Sequence, residues 1–492
     1  VNTKNIYLFI FILICGLIPI SSFSLWADEA WTLTEYGLQP NLASLFTSLS
    51  QSGGGDAQFP GYNLYIWGWI KIFGATEYSA RIANLPLYFS AVLYCFLYLP
   101  RSCKFKIGFI ALICLSPLAW FYLNEARYII SVFSFSMFSF VSVISYFEGD
   151  EKNKKLNTYV FFSSIVLGSA FMMLYAFYLI LLAGLVYYYI REKKGNLQQL
   201  ITQWKVPGII SFILLILIGC YYLYTLLNGM GGTRLNPSFK NIVFLLYEFL
   251  GFGGIGPSRD VLRESNLIDI HSIYFLLVML FAFVYFVLVA LFLINFKTVK
   301  DKLSFYGIFI LIITFLIFYV FAESFQFKFL SRHLIFLYVP FTFFIYTIFY
   351  NCIKKSPRLG LFIIIAYSSG ILYSNYNIRF NPEYKKTNMV NAFNIVNKES
   401  KGLKVIWTEE RDGFEYYAVY KKMLRTYDKN KFIFLLNKQG DDLVKSISEY
   451  MNEERFLILI ANKKDYKNEI KNFLISKYYK IIYTDKDYTI YR

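Results

Sequence analysis

Hydrophobic and polar positions are spaced on two different scales along this chain. Up to about residue 380 the apolar positions form long runs near residues 6–25, 78–100, 107–123, 129–147, 157–173, 176–190, 206–227, 272–295, 304–322, 333–352 and 359–373. A run of roughly 20 apolar residues matches the thickness of a bilayer as a helix, so eleven spans are predicted, the fifth and sixth being short. Two further apolar segments fall outside that set. Residues 60–76, PGYNLYIWGWIKIFGAT, are too short to cross, and counting them would reverse every later connection. They are read as a helix lying at the outer interface with Trp67 and Trp69 as anchors. Residues 241–255 are read the same way, inside a long outer loop over 228–271. The first run is longer than a signal-peptide core and Leu25 suits a cleavage site poorly, so it is taken as a retained span. After Asn381 the scale shortens. Apolar runs such as LKVIW, KFIFLL, RFLILIA and KIIYT alternate with amphipathic, charged stretches. That alternation predicts a small α/β domain. The expected architecture is an α-helical polytopic membrane domain over 1–380, with a first outer loop over 26–77, followed by an extracytoplasmic α/β domain over 381–492.

Composition agrees. Apolar residues make up 57% of the 492 and aromatics 21%; charged residues reach only 16%, where soluble chains carry about 25%. The mean hydropathy is +0.45. A secreted, disulfide-built or disordered protein is excluded. The six cysteines, Cys15, Cys95, Cys103, Cys114, Cys220 and Cys352, include no C-x-x-C pair, which argues against a disulfide framework or thiolate metal site. Two histidines, His271 and His333, leave no material for a histidine cluster. The net charge of +17 is largely a topology signal. Alternate connections, including Arg101-Lys104-Lys106, Lys152-Lys154-Lys155 and Lys354-Lys355-Arg358, hold 17 basic and 5 acidic residues; the opposite connections hold 10 and 11. The positive-inside rule places the N-terminus in the cytoplasm and the tail outside, and nucleic acid is not needed as a partner. The Lys-, Asn-, Ile- and Phe-rich composition suggests an AT-rich bacterial gene, hence the inner (plasma) membrane.

No charged residue lies in the interior of these spans, which counts against an ion-coupled route through the bilayer. Charges gather at one edge instead. Asp28 and Glu29 follow the first span directly. Asp56 precedes Gln58-Phe59-Pro60-Gly61-Tyr62. Glu77 and Arg81 open the second span, Glu125 and Arg127 sit in the turn before the fourth, and Lys328, Arg332 and His333 lead into the tenth. Each alone has a plain explanation: a hydrated acidic pair, a snorkelling arginine, a self-satisfied hairpin turn. Their convergence at one depth on one face does not.

In this order the residues resemble a family. An acidic pair follows the first span, a Pro-Tyr segment opens the interfacial helix, and an Ala-Arg step begins the second span. Then comes Ser116-Pro117…Tyr122…Glu125-Ala126-Arg127-Tyr128, and later Ser331-Arg332-His333 with Pro340. The pattern is similar to membrane glycosyltransferases of the protein O-mannosyltransferase and aminoarabinose-transferase type, which have the GT-C fold. It covers residues 1–150 well and the later spans weakly. Family members often read His-Pro-Pro-Leu-Tyr where this chain has Gln58-Phe59-Pro60-Gly61-Tyr62, and S-R-Y where it has Ser331-Arg332-His333.

The resemblance implies transfer of a sugar from a polyprenyl phosphate to a glycan, lipid or protein acceptor on the outer face, among membrane lipids. A carboxylate must take the acceptor's proton as it attacks the anomeric carbon; Asp28 is the first choice and Glu29 the second. Negative charge grows on the departing lipid phosphate, and arginines at headgroup depth would stabilise it. Arg127 and Arg332 lead, with Arg81 and Lys328 behind. A single displacement inverts the anomeric centre with one carboxylate, unlike the pair used in hydrolysis. Asp56, Gln58, Tyr62, Glu125, Tyr128 and His333 would bind sugar or acceptor. No cofactor is implied; the carboxylates could hold a divalent ion, but nothing in their spacing asks for one. A polysaccharide polymerase or ligase stays open because loop 228–271 carries Arg234, Arg259 and Arg263. A lipid-linked sugar transporter also stays open, although the spans offer little polar lining.

Overall fold

In the computed structural model, the described residues are essentially 3–51, 59–100, 105–192, 197–228, 236–256, 302–355 and 357–381, with Arg259, Tyr384, 389–399 and parts of 403–491. The expected eighth span, 272–295, lies largely outside them, as do Asp56, Gln58, Arg234, Arg263 and His271. Helices α1 to α13 are Thr3–Leu17, Ala27–Thr32, Leu42–Gln51, Pro60–Phe73, Glu77–Ile82, Leu85–Tyr98, Lys106–Cys114, Pro117–Leu123, Ile129–Glu148, Lys154–Phe171, Ala176–Glu192, Leu197–Leu227 and Phe239–Phe249. They are followed by α14 (Lys302–Ser324), a 3₁₀ turn (Ser331–Leu337), α15 (Tyr338–Lys355), α16 (Pro357–Phe380) and α17 (Met389–Glu399). Among the described residues six helical stretches are long and apolar enough to cross a membrane, and a bent pair, α7 with α8, would make a seventh.

The body is built round α9. All but three of its twenty residues are buried, enclosed by α6, α10, α11, α15 and the 3₁₀ turn. Serines 131, 134, 136, 139, 142 and 145 are all buried on it. Most return their hydroxyls to a carbonyl one turn back, as Ser134 does to Ile130 (2.8 Å) and Ser139 to Phe135 (2.9 Å). Small side chains that satisfy themselves let neighbouring helices approach closely in an apolar surround.

Two breaks shape the end of the bundle that carries Asp28. The first expected span ran to residue 25, but α1 stops at Leu17. Pro19 cannot continue a helix, and the non-helical stretch that follows offers the carbonyls of Ser21, Phe23 and Ser24 to side chains. The third is bent by 47° between α7 and α8. Ser116 caps α8, accepting from Ala119 N (3.2 Å), with Pro117 in its first turn. The carbonyls freed at the bend are taken by Trp120 Nε1 (to Cys114, 2.8 Å) and Asn375 Nδ2 (to Leu115, 2.8 Å).

The C-terminal sheet has the order β2-β1-β3-β5-β4, with β1 Lys404–Trp407, β2 Phe432–Phe434, β3 Phe456–Ala461, β4 Ile481–Thr484 and β5 Tyr488–Tyr491. β1 pairs in parallel with β2 and with the central β3, and β5 lies antiparallel between β3 and β4. Both faces are covered. Ile406, Phe456, Ile458 and Tyr491 pack with Leu474 of α18 (Lys467–Ser476). The alternating residues Val405, Leu457, Leu459 and Ile490 share an apolar cluster with Ala392, Phe393 and Val396 of α17 and with the helical body. Burial on both sides is why these strands read as unbroken apolar runs. Val390 N donates to Ser24 Oγ (3.0 Å), so the tail and Asp28 lie at the same end of the molecule.

Candidate active site

The foundation is a buried ion pair. Glu29 and Arg81 are both 0% exposed. Arg81 Nε and Nη2 grip the two carboxylate oxygens at 3.1 and 3.0 Å. The remaining N–H groups donate to the carbonyls of Ser21 (2.9 Å), Phe23 (2.7 Å) and Ser24 (3.0 Å), in the stretch after α1. All five donors are committed, so Arg81 offers none to a lipid phosphate and instead holds the loop. Glu29 in turn accepts from Trp26 N (3.2 Å) at the start of α2 and from Ala126 N (2.7 Å) in the E-A-R-Y turn. Glu29 is thereby a junction between two loops, with no open side for an acceptor.

On that junction stands Asp28. Its side chain is 35% exposed, and Oδ2 lies 3.4 Å from Arg332 Nη1 and 3.9 Å from Arg127 Nη2. Arg127, almost buried, is aimed by its other nitrogen: Nη1 donates to the Asp28 carbonyl (2.9 Å) and Thr32 Oγ1 (3.2 Å). His333 Nδ1 accepts from Leu330 N (3.0 Å), and its Nε2 lies 3.4 Å from Arg332 Nε. His333 thus steadies the turn rather than standing open to a sugar. Three of the expected residues, Asp28, Arg127 and Arg332, meet at one half-open point.

The other expected residues surround this point less directly. Tyr128 is buried and stacked on Phe59 at 3.6 Å. Tyr62 meets its edge at 6.5 Å, and its buried hydroxyl finds no hydrogen-bond partner among the described residues. Glu125 is buried, its carbonyl held by Asn84 Nδ2 (2.7 Å). Lys328 is exposed. Trp67 and Trp69 donate their indole N–H groups to the carbonyls of Gln39 (2.9 Å) and Ser79 (3.0 Å), tying α4 to its neighbours. Among the described residues, no group of three or more His, Cys, Asp or Glu is placed to hold a metal ion.

A second buried pair was not foreseen as part of the site. Glu248, near the end of α13, accepts from Arg259 and from Ser331 Oγ, and Arg259 Nη2 donates to Tyr122 OH at 2.7 Å. The guanidinium lies 4.1 Å from the Phe121 ring centroid. Burial opposes the Arg259 charge, but Glu248 and Tyr122 outweigh it and raise its pKa above the ordinary value. A lone carboxylate in the apolar stretch FLLYEFLG was the available signal. The loop between Glu248 and Arg259 is anchored on α16: Gly254 N donates to Ser374 Oγ (2.7 Å) and Asn377 Nδ2 to Gly254 O (2.8 Å). A β-carbon at Gly254 would lie 2.2 Å from the Ser374 carbonyl oxygen, so the close approach requires glycine. Below this loop an apolar groove of about 260 Å³ runs between α7, α15 and α16, bounded by Phe249 and Leu250.

A polytopic helical body, charged loops gathered at one end and a small α/β unit at the C-terminus together define the GT-C fold. Along 100% of its length the chain superposes on 98% of the aminoarabinose transferase ArnT from Cupriavidus metallidurans bound to undecaprenyl phosphate, with a TM-score of 0.51 and 12% identity. The apo state of that protein gives 0.51 at 10% identity, covering 99% of this chain and 98% of that one. At such identities the likeness is one of fold. No protein-family model and no curated protein matches the sequence.

Proposed function

We propose that this chain is a membrane glycosyltransferase that moves a sugar from a polyprenyl phosphate to an acceptor by a single inverting displacement. The observation that carries the reading is Asp28, half-open, with Arg332 at 3.4 Å and Arg127 at 3.9 Å from the same carboxylate oxygen. In the reaction an acceptor hydroxyl or amine gives its proton to Asp28 as it attacks the anomeric carbon. The new bond to the acceptor forms while the bond from that carbon to the phosphate oxygen breaks. The electron pair leaves with the lipid phosphate. Arg127 and Arg332 meet the charge that accumulates there, fixed in place before the reaction and so most effective in the transition state. The apolar groove beneath Glu248 supports a lipid-borne donor, and the ArnT structure of the same fold contains undecaprenyl phosphate.

The remaining assignments belong to the same reading. Residues 1–380 form the catalytic membrane domain and 381–492 an extracytoplasmic domain, in the inner membrane of a bacterium, decorating a surface glycan or lipopolysaccharide. A polysaccharide polymerase or ligase would share the donor chemistry. The pairing of Arg259, from a long central loop, with Glu248 behind the Ser331 turn is the observation that favours it. Purified protein supplied with a polyprenyl-phosphate sugar tests the reading. Asp28→Asn keeps the shape and removes the base, and should lower transfer by about 10² to 10⁴ while donor binding survives. Transfer by Asp28→Asn near the wild-type rate would remove Asp28 as base. Mass analysis of surface glycans from cells with and without the gene separates the acceptors.

A further inference from the structure

Arg332 reaches Asp28 from a short turn, and that turn is held from behind by α13. Asn241, in the first turn of α13, accepts from Ser238 N (2.8 Å) and donates through Nδ2 to the carbonyl of Phe329 (2.9 Å). Two turns on, Glu248 receives the Ser331 hydroxyl on one carboxylate oxygen, which also takes Arg259 Nη2 at 3.1 Å. Ser331 is 0% exposed and Glu248 2%. The turn closes on itself, with His333 N donating to the Leu330 carbonyl (3.0 Å) and Leu330 N to His333 Nδ1 (3.0 Å). Positions 329 and 331 are thus each bonded to α13, and position 333 closes the turn on Leu330. Position 332 lies between them, and its side chain is the one that leaves the turn for Asp28.

A carboxylate is kept buried only where partners hold it, since an unpaired buried charge is strongly destabilising. Here Arg259 supplies the charge, which leaves the carboxylate free to anchor a serine hydroxyl. An arginine is long and flexible, so where its guanidinium stands depends on how firmly its backbone is placed. A displacement of about 1 Å in a reacting group can cost 10²-fold in rate. We infer that Glu248 is a positioning residue: through Ser331 it fixes the turn from which Arg332 meets Asp28 and the departing phosphate. The inference rests on the transferase reading above.

A double-mutant cycle in the full-length protein tests it. Ser331→Ala, a small truncation, should lower kcat/KM for the polyprenyl-phosphate donor about 10- to 100-fold. In an Arg332→Ala background the same truncation should change kcat/KM less than about twofold, because two mutations acting through one group do not add. Glu248→Gln, which keeps the side-chain shape, should behave alike in a second cycle, with melting measured for every variant. Equal losses in both backgrounds would show that Ser331 and Glu248 act independently of Arg332 and would overturn the inference. So would an unchanged rate for Ser331→Ala with Arg332 present. A wild-type protein that transfers no sugar would remove the transferase reading and this inference with it; an active wild type with additive losses removes the inference alone.

Discussion

Replacing Arg81 by methionine is the sharpest structural perturbation the site offers. Methionine fills much of the same space and carries none of the five N–H donors. Glu29 would stay at 0% exposure with two backbone N–H groups in place of four donors, and the carbonyls of Ser21, Phe23 and Ser24 would each lose one. Removing one partner of a buried ion pair costs about 3–5 kcal/mol. A buried acceptor left without a donor costs about 1–3 kcal/mol unless water reaches it. The small cavity beside Ser21, Phe23 and Arg81 gives water a way to some of these carbonyls. A loss of at least about 4 kcal/mol follows, a large share of an ordinary stability of about 5–15 kcal/mol. Unfolding in mixed micelles with increasing dodecyl sulfate, followed by ellipticity, measures it. Adding Glu29→Gln should recover part of the loss, since the second change removes the stranded charge. If Arg81→Met unfolds within about 1 kcal/mol of wild type, the pair is not the foundation described here, and Arg81 returns as a candidate for the donor phosphate.

Arg127→Ala should weaken both donor binding and turnover, because the phosphate is charged before the transition state and more so within it. Titration with undecaprenyl phosphate and steady-state rates read the two effects, and unchanged donor affinity would remove Arg127 from that role. A reporter active only in the cytoplasm, fused after Arg492, should be silent, as the 17-to-5 charge bias of one set of connections demands. Activity there would invert the topology.

The helices of the body were legible because an apolar stretch of bilayer length has few alternatives, and α9 is the strongest case. Asp28, Arg127 and Arg332 were legible for a related reason: in a chain so poor in charge, ionised groups from separate loops stand out. What each would do was less legible. Arg81 and Arg127 look alike in sequence, each an arginine beside an apolar run. The difference lies in three carbonyls exposed where Pro19 ends α1, a placement with no local sequence pattern. Glu248 was visible as a lone acid in an apolar helix, but its partners come from residues 259 and 331. Only the folded chain brings those together. The tail could be recognised as α/β from its runs, yet strand order and the shared cluster with α17 depend on contacts no periodicity encodes.

Two of the bonds that Ser24 makes are far apart in time. Its carbonyl accepts from Arg81, 57 positions later, and its hydroxyl from the backbone of Val390, 366 positions later. At a synthesis rate of about 5–20 residues per second, roughly 15 to 60 s separate the appearance of these partners. The Glu29–Arg81 junction can close as soon as the second apolar helix is made. The other side of the same loop waits until residue 390 has been made. A ribosome that stalls before that point therefore leaves a molecule with its charged junction formed and its Asp28 loop unclasped. Such a chain is inserted in the membrane yet unfinished at the loop where the proposed chemistry takes place.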